Sequence, residues 1–173
     1  MTKKLTLKFI GSLPMLAVLL LALLFVAPKH VYFLSAVMPI MHLVPVFIWG
    51  VMHPRDISLW VLAAIGLIVD VATGLPLALS ALSYCLFFLL VRSQRKYIYK
   101  EGFTAMWGYF ALLLLAMQCI AWALYSYYQG AFAAAGNALL QWLFTVLLYP
   151  PLHRFFYPLV EKMAHARYRI LHG

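Results

Sequence analysis

Long apolar runs dominate this chain. Short polar clusters divide them into stretches about as long as a helix that crosses a bilayer. Crossing the roughly 30 Å hydrocarbon layer takes about 20 apolar residues. Six runs approach that length if the longest is divided by a turn. The predicted transmembrane helices are residues 9–27, 31–52, 57–73, 76–91, 103–128 and 138–157. The pattern therefore predicts an all-α integral membrane protein with six spans in one domain.

The first run follows Lys3, Lys4 and Lys8, as the apolar part of a secretory signal would. It is longer than a usual signal core, and Phe25 and Pro28 fit the small-residue cleavage pattern poorly. We therefore expect a retained helix.

The second predicted span contains Pro39 and Pro45, with His42 between them. Proline removes a helix hydrogen bond and clashes with the preceding turn, so a kinked helix is expected here. Membrane helices tolerate such a kink when neighbouring helices or side chains bond the freed carbonyls. These carbonyls could accept the ring N–H of His42, for which a packing role is the favoured interpretation.

The run from residue 57 to 91 is too long for one span and short for two. Gly74 permits a turn and Pro76 favours the first position of a new helix, so two short helices are predicted. Asp70 is the only carboxylate within a predicted span, one turn before Gly74, where we expect water to reach it. Its carboxylate could clasp the first amides of the next helix, contact a partner or ligand, or transfer protons. The clasp is favoured.

Two further features affect the last two spans. Aromatic residues, including Trp107 and Trp122, are weighted to the ends of the fifth span, as an aromatic belt predicts. Pro150 and Pro151 are expected to interrupt the sixth span, and Arg154 to snorkel to the interface.

Composition supports a lipid environment, since 66% of residues are hydrophobic and 10% charged. Soluble domains are about 45–50% apolar and about 25% charged. The net charge of +9 could indicate nucleic acid, but the basic residues lie in short clusters between the spans. With six spans, twelve of the 13 Lys and Arg fall on one side and Lys29 alone on the other. This asymmetry predicts that both termini are cytoplasmic, with the lipid bilayer as partner and no nucleic acid.

Catalytic chemistry finds no support in the sequence. Asp56, Glu101 and Glu161 fall in predicted cytoplasmic loops, so they cannot converge on Asp70. Cys85 and Cys119 are far apart inside apolar runs, and no histidine pairs with a carboxylate at metal-ligand spacing. We expect a non-enzymatic protein without metal or cofactor.

A more specific pattern covers about residues 49–150. It consists of Trp49-Gly50 with Pro54, Gly66-Leu67-Ile68-Val69-Asp70, Gly74-Leu75-Pro76-Leu77, Ala81-Leu82, Ser93-Gln94-Arg95-Lys96, Phe103, Met106-Trp107-Gly108-Tyr109-Phe110 and Leu148-Tyr149-Pro150. In these residues the chain resembles the rod shape-determining protein MreD family, particularly its alphaproteobacterial type. The most specific part is Gly-Leu-x-x-Asp followed by Gly-x-Pro-Leu. Ala78 departs from the pattern, because the family usually has Gly there, and this departure bears on how closely the fourth helix packs at its start.

The resemblance implies a non-enzymatic part in bacterial cell elongation, in the inner (plasma) membrane. Its partners would be an MreC-like single-span protein, the MreB-linked elongation complex and the peptidoglycan synthase. The implied fold is a single compact bundle similar to the substrate-binding subunits of energy-coupling-factor transporters. On this basis Asp70, Gly74 and Pro76 are expected to form the outer rim of a groove for a partner helix.

Two other functions remain open. The similarity in fold suggests a vitamin-type substrate-binding subunit of a membrane transporter. Such subunits typically carry Ala-x-x-x-Ala on the first helix, whereas Ala17, Ala22 and Ala27 are spaced by five. A passive scaffold or lipid-binding protein rests on the basic loops alone.

Overall fold

The computed structural model describes residues 15–23, 39–100, 102–130 and 135–172, with the backbone alone for residue 135 and residues 167–172. Every regular element in these ranges is helical, which confirms the all-α prediction. Helix α1 includes residues 15–23. The other elements are α2 (Leu43–Met52), a 3₁₀ turn (Pro54–Asp56), α3 (Leu59–Thr73), α4 (Leu79–Ile98), α5 (Phe103–Gln129) and α6 (Ala135–His172).

Four of the helices form a closed ring. Helix α2 packs on α4 and α6, and α5 packs on the same two helices from the other side. Helix α3 packs mainly on α4, as the first arm of a helical hairpin. We call the end of the bundle where α3 turns into α4 the Asp70 end, and the opposite end the Arg95 end.

The centre of the ring is filled by one aromatic side chain from each of its four helices. These are Phe47, Phe87, Phe110 and Tyr149, and each is 0% exposed. Ring centroids lie 4.6 Å apart for Phe110 and Tyr149 and 5.3 Å apart for Phe47 and Phe110. Such pairs contribute about 0.5–1.5 kcal/mol beyond the area they bury. We call this set the aromatic layer.

One helix among the described residues, α5, is long and apolar enough to cross a membrane by itself. Only 17% of its most apolar window is buried inside the protein, whereas the core helix of a soluble protein would be mostly buried. Helices α2 and α3 are apolar but shorter. The spans over 57–73 and 103–128 coincide closely with α3 and α5, and their crossing of a membrane stays a prediction.

Helix α4 differs from the predicted span 76–91 at both ends. It begins at Leu79 instead of Pro76, because residues 76–79 first form a turn closed by a 3.2 Å hydrogen bond from the Leu79 N–H to the Pro76 carbonyl. It continues to Ile98, through residues for which the sequence predicts a polar loop. Arg95 and Lys96 in its last turn complement the negative end of the helix dipole, which favours that extension.

The prediction that Pro150 and Pro151 interrupt the sixth span is wrong, because α6 runs through both. Pro150 has no N–H to donate to the carbonyl of Val146, four residues earlier. The indole N–H of Trp107 on α5 donates to that carbonyl instead, at 3.0 Å. In the reverse direction, the Trp142 indole donates to the Ala111 carbonyl at 2.9 Å. Trp107 therefore links α5 to α6 by a hydrogen bond, a role that the predicted aromatic belt does not include.

The prediction of a kinked helix over residues 31–52 is also wrong for residues 39–52, the part of it that the structure describes. Helix α2 begins only at Leu43, after a turn at residues 41–42. Pro39 precedes that turn, and Pro45 is the third residue of α2. Proline in a first turn removes no intrahelical hydrogen bond, so neither residue kinks a helix. Several predictions fall on residues outside the described ranges. These are residues 9–14, 24–27 and 31–38, Phe25, Pro28, Lys29, Glu101 and the N-terminal lysines.

Candidate functional site

The carboxylate of Asp70 closes the turn between α3 and α4. It accepts hydrogen bonds from the Ser80 backbone N–H at 2.9 Å (Oδ1) and 3.2 Å (Oδ2). Helix α4 has Ala78 at its N-cap, which offers no side-chain acceptor, so Asp70 supplies one from the neighbouring helix. Its negative charge also lies at the positive end of the α4 dipole. This is the geometry of the clasp that the sequence favoured, with Ser80 as the donor.

Asp70 is not in contact with water, contrary to our expectation. Its exposure is 0%, because Val69, Ser80 and Ala81 around it are buried as well. The sequence placed it correctly near a helix end, but the close approach of α3 and α4 covers it.

Gly74 and Pro76 shape the backbone of the same turn. Gly74 has φ 70°, a left-handed conformation that ends α3, and its N–H bonds the Asp70 carbonyl. The Leu75 N–H donates to that carbonyl as well, at 3.1 Å. Asp70 is therefore bonded through both its main chain and its side chain.

Ala78 has the only positive φ among the described non-glycine residues, at 74° with ψ −1°. These angles match the third position of a type II turn, where glycine is favoured because a Cβ is strained there. The resemblance singled out this position, since Gly is usual in the family.

Gly66 is a residue of the hairpin that we had not proposed as a site. A Cβ at Gly66 would lie 2.4 Å from the Ala81 Cα and 2.6 Å from the Ala81 nitrogen. The two helix backbones therefore touch where a side chain cannot fit. The sequence held one signal for a role of Gly66, its position in the segment that carries the family resemblance, four residues before Asp70.

His42 lies just before α2 and is 0% exposed. Its ring packs edge-on against that of Tyr84 on α4, with centroids 4.7 Å apart. Beside it, the Ile40 N–H donates to the Thr145 hydroxyl on α6 at 3.0 Å. Pro39, His42 and Pro45 thus belong to the start of α2, where it meets α4 and α6.

A cavity of about 600 Å³ opens at the Asp70 end, inside the ring of four helices. Its apolar lining includes Ile40, Leu43, Val69, Leu75, Leu79, Leu114, Met117, Ala121, Trp122 and Ala138, and its polar lining Ser80, Ser83, Tyr84, Gln118, Tyr125, Asn137 and Gln141. The Gln118 amide nitrogen donates to the Gln141 amide oxygen across the cavity wall, at 2.7 Å. Sequence reasoning missed this pair, because two isolated glutamines in different spans give no local pattern.

A smaller, charged cleft lies at the Arg95 end. It has a volume of about 440 Å³ and is lined by Met52, His53, Pro54, Arg55, Asp56 and Arg95. Arg55 follows α2 and Arg95 lies in the last turn of α4, so basic residues from two separate polar stretches of the sequence meet at this end of the bundle. Among the described residues, this cleft is therefore lined by charged side chains, whereas the cavity at the Asp70 end is lined by uncharged ones.

No three His, Cys, Asp or Glu side chains within the described ranges converge to hold a metal ion. No protein-family model matches the chain, and the searches of curated proteins and of solved structures returned no match.

Proposed function

We propose that the chain is a multi-pass protein of the bacterial inner (plasma) membrane, with six transmembrane helices and both termini in the cytoplasm. The outward apolar surface supports this proposal, since Trp60 is 88% exposed, Val71 71% and Leu112 63%. In water such side chains would be an aggregation hazard, whereas in lipid they face a matching solvent. The Arg95 end would face the cytoplasm and the Asp70 end the outer side.

Its proposed role is that of a non-enzymatic component of the cell-elongation machinery, which maintains rod shape by associating with an MreC-like protein, the MreB-linked complex and the peptidoglycan synthase. The observation that carries this proposal is the α3–α4 hairpin. Gly66, Asp70 and Gly74 each have a distinct physical role in it, as backbone contact, clasp and turn. The same three residues belong to the most specific part of the resemblance to MreD proteins.

A fixed hairpin suits a scaffold within a membrane. Association between membrane helices depends on shape and polar contacts, because lipid removes the hydrophobic drive that acts in water. The helices α3 and α4, locked together by a buried carboxylate, present a rigid rim at the Asp70 end. A single-span partner would pack beside that rim.

Depletion of the protein in its rod-shaped host tests the role. We expect cells to lose rod shape and become round, and wild-type protein supplied in trans to restore the rods. Normal cell shape after depletion would contradict the proposal. Normal shape together with a defect in vitamin uptake would instead favour the transporter subunit.

A further inference from the structure

The cavity at the Asp70 end does not continue through the centre of the ring of helices. Leu43 lies one turn from Phe47 along α2, Tyr84 one turn from Phe87 along α4, and Leu114 one turn from Phe110 along α5. The aromatic layer therefore lies about one turn beyond this part of the cavity lining. Since all four of its residues are 0% exposed, no water-sized path passes between their rings. Such a cavity can hold a molecule but cannot conduct it through the centre of the ring.

The described lining of this cavity is mostly apolar, and its polar side chains are uncharged. None of the seventeen lining residues within the described ranges is Asp, Glu, Lys, Arg or His. The nearby Asp70 carboxylate accepts hydrogen bonds from the Ser80 N–H. Transfer of an ion from water into such a site is costly when no opposite charge compensates it. This part of the lining therefore favours uncharged molecules over charged ones.

The two sides of the cavity differ in chemistry. The wall formed by α5 and α6 carries the amides of Gln118, Asn137 and Gln141 and the hydroxyl of Tyr125. The facing wall, near α2 and the end of α3, presents Ile40 among other aliphatic side chains. Ligand sites typically have volumes of about 300–1,000 Å³, are mostly apolar and contain a few polar groups that fix orientation.

We propose that this cavity is a binding site for an uncharged small molecule with hydrogen-bonding groups on one side and an apolar or aromatic body on the other. The Gln118–Gln141 pair would bind its polar side. A side-chain amide has two donors and an acceptor oxygen, so Gln118 can bond a ligand while it stays paired with Gln141. If the Gln118–Gln141 hydrogen bond served only to join α5 to α6, it would need no cavity beside it. The inference does not depend on the role in cell elongation.

The test uses two probes that share an aromatic ring and differ in charge, 4-nitrophenyl β-glucoside and 4-nitrophenyl phosphate. The full chain is placed in phosphatidylcholine nanodiscs, and binding is measured by equilibrium dialysis against empty nanodiscs. We expect the wild type to retain the uncharged glucoside in preference to the phosphate.

Two matched variants locate the binding. Ala121 lines the cavity, whereas Ala123 is exposed on the same helix. Ala121→Leu places a larger side chain in the space that the ligand would occupy, and we expect it to lower the affinity for the glucoside roughly tenfold, which is about 1.4 kcal/mol. Ala123→Leu should bind as the wild type does. Gln118→Met, which keeps the length of the side chain and removes its amide, should also weaken binding.

Several results would overturn the proposal. These are no retention of the glucoside by the wild type, retention of the phosphate equal to or above that of the glucoside, and unchanged binding by a folded Ala121→Leu protein. Should that variant fail to fold, unchanged binding by Gln118→Met has the same meaning. None of these results bears on cell shape, so the elongation role is tested separately by depletion.

Discussion

Ala78 occupies a backbone conformation that glycine adopts more easily. A left-handed φ costs a residue with a Cβ about 1–2 kcal/mol, and the greater freedom of glycine in the unfolded chain offsets part of any gain from its removal. We therefore expect Ala78→Gly to raise the free energy of unfolding by about 0.5–1 kcal/mol. Denaturant titration in detergent measures the change.

The control for this substitution is Ala123→Gly, in the exposed interior of α5. There glycine lowers stability by about 0.5–1 kcal/mol, so the two changes should have opposite signs. A loss of stability in Ala78→Gly would contradict the left-handed conformation.

Asp70 is the residue whose charge matters most for the hairpin. Asp70→Asn keeps the shape of the side chain and removes the charge that faces the start of α4. Because the amide oxygen of Asn can still accept from the Ser80 N–H, we expect a loss of about 1 kcal/mol in the free energy of unfolding, the difference between hydrogen bonds to charged and to neutral acceptors. The same titration measures it, with exposed Glu161→Gln as the matched control.

The partner interaction gives a second measurement for Asp70→Asn. If the clasp holds the rim against which an MreC-like protein packs, less of that protein should co-purify with the variant in mild detergent. Unchanged stability together with unchanged co-purification would contradict the clasp.

At the scale of single residues, the sequence was informative where a local rule applied. A lone carboxylate one turn before Gly74, followed by a second helix, was enough to predict the clasp. The donor was not predictable, because the path of residues 75–78 depends on how closely α3 and α4 pack. Gly66 permits that closeness, and a glycine inside an apolar run does not reveal what it touches.

Helix contacts at Gly66 give a prediction for the α3–α4 hairpin. Gly66→Ala places a Cβ 2.4 Å from the Ala81 Cα, so the backbones must separate. We expect a loss of about 1–3 kcal/mol, as for other overpacked positions. Gly108→Ala is the control, since a Cβ there meets nothing within 4 Å and should be neutral or stabilising. Equal stability of the two variants would contradict the close contact.

The bond from Trp107 to α6 gives a second prediction at this scale. Trp107→Phe keeps an aromatic ring and removes the donor, which leaves the Val146 carbonyl without its replacement partner. We expect a loss of about 1–3 kcal/mol in the free energy of unfolding. Trp60→Phe, at a residue that is 88% exposed, should change it little. A similar effect in both variants would mean that the bond is unimportant.

Apolar length predicted the bounds of α3 and α5 closely, but it did not predict the start of α2 or the C-terminal ends of α4 and α6. Proline was a poor guide to helix ends as well. A proline at position 150 interrupts the helix only when no other group bonds the Val146 carbonyl. Here the indole N–H of Trp107, thirty-nine positions away in the sequence, bonds that carbonyl. Pro45, by contrast, is harmless because it lies in a first turn, and the position of that turn depends on contacts of α2 with α4 and α6.

For the whole molecule, the proposed topology predicts which residues reagents can reach in cells. In a background without Cys85 and Cys119, Gln129→Cys should react with a membrane-impermeant maleimide applied from outside. Gln94→Cys should react only after the inner membrane is permeabilised. Both positions are exposed, so burial does not explain a difference. Labelling of Gln94→Cys in intact cells would contradict the cytoplasmic placement of the Arg95 end.

The helical architecture could be predicted from the sequence, whereas the packing at the centre of the bundle could not. Apolar length predicted the helices, and the basic clusters predicted two unlike ends, as in the cleft shared by Arg55 and Arg95. The aromatic layer draws Phe47, Phe87, Phe110 and Tyr149 from four helices. Phe110 and Tyr149 lie in the segments that carry the family resemblance, but nothing in the sequence groups these four residues together, because their meeting depends on the order in which the helices pack.

The aromatic layer also has a kinetic consequence. With the centre of the ring of helices closed, a bound molecule would leave on the Asp70 side of the layer, where it entered. An occupant would then block the entry of its successor, and its departure would limit the rate of exchange. Smaller rings in the layer would create a second exit, and exchange would then become sensitive to the concentration on the opposite face of the bundle.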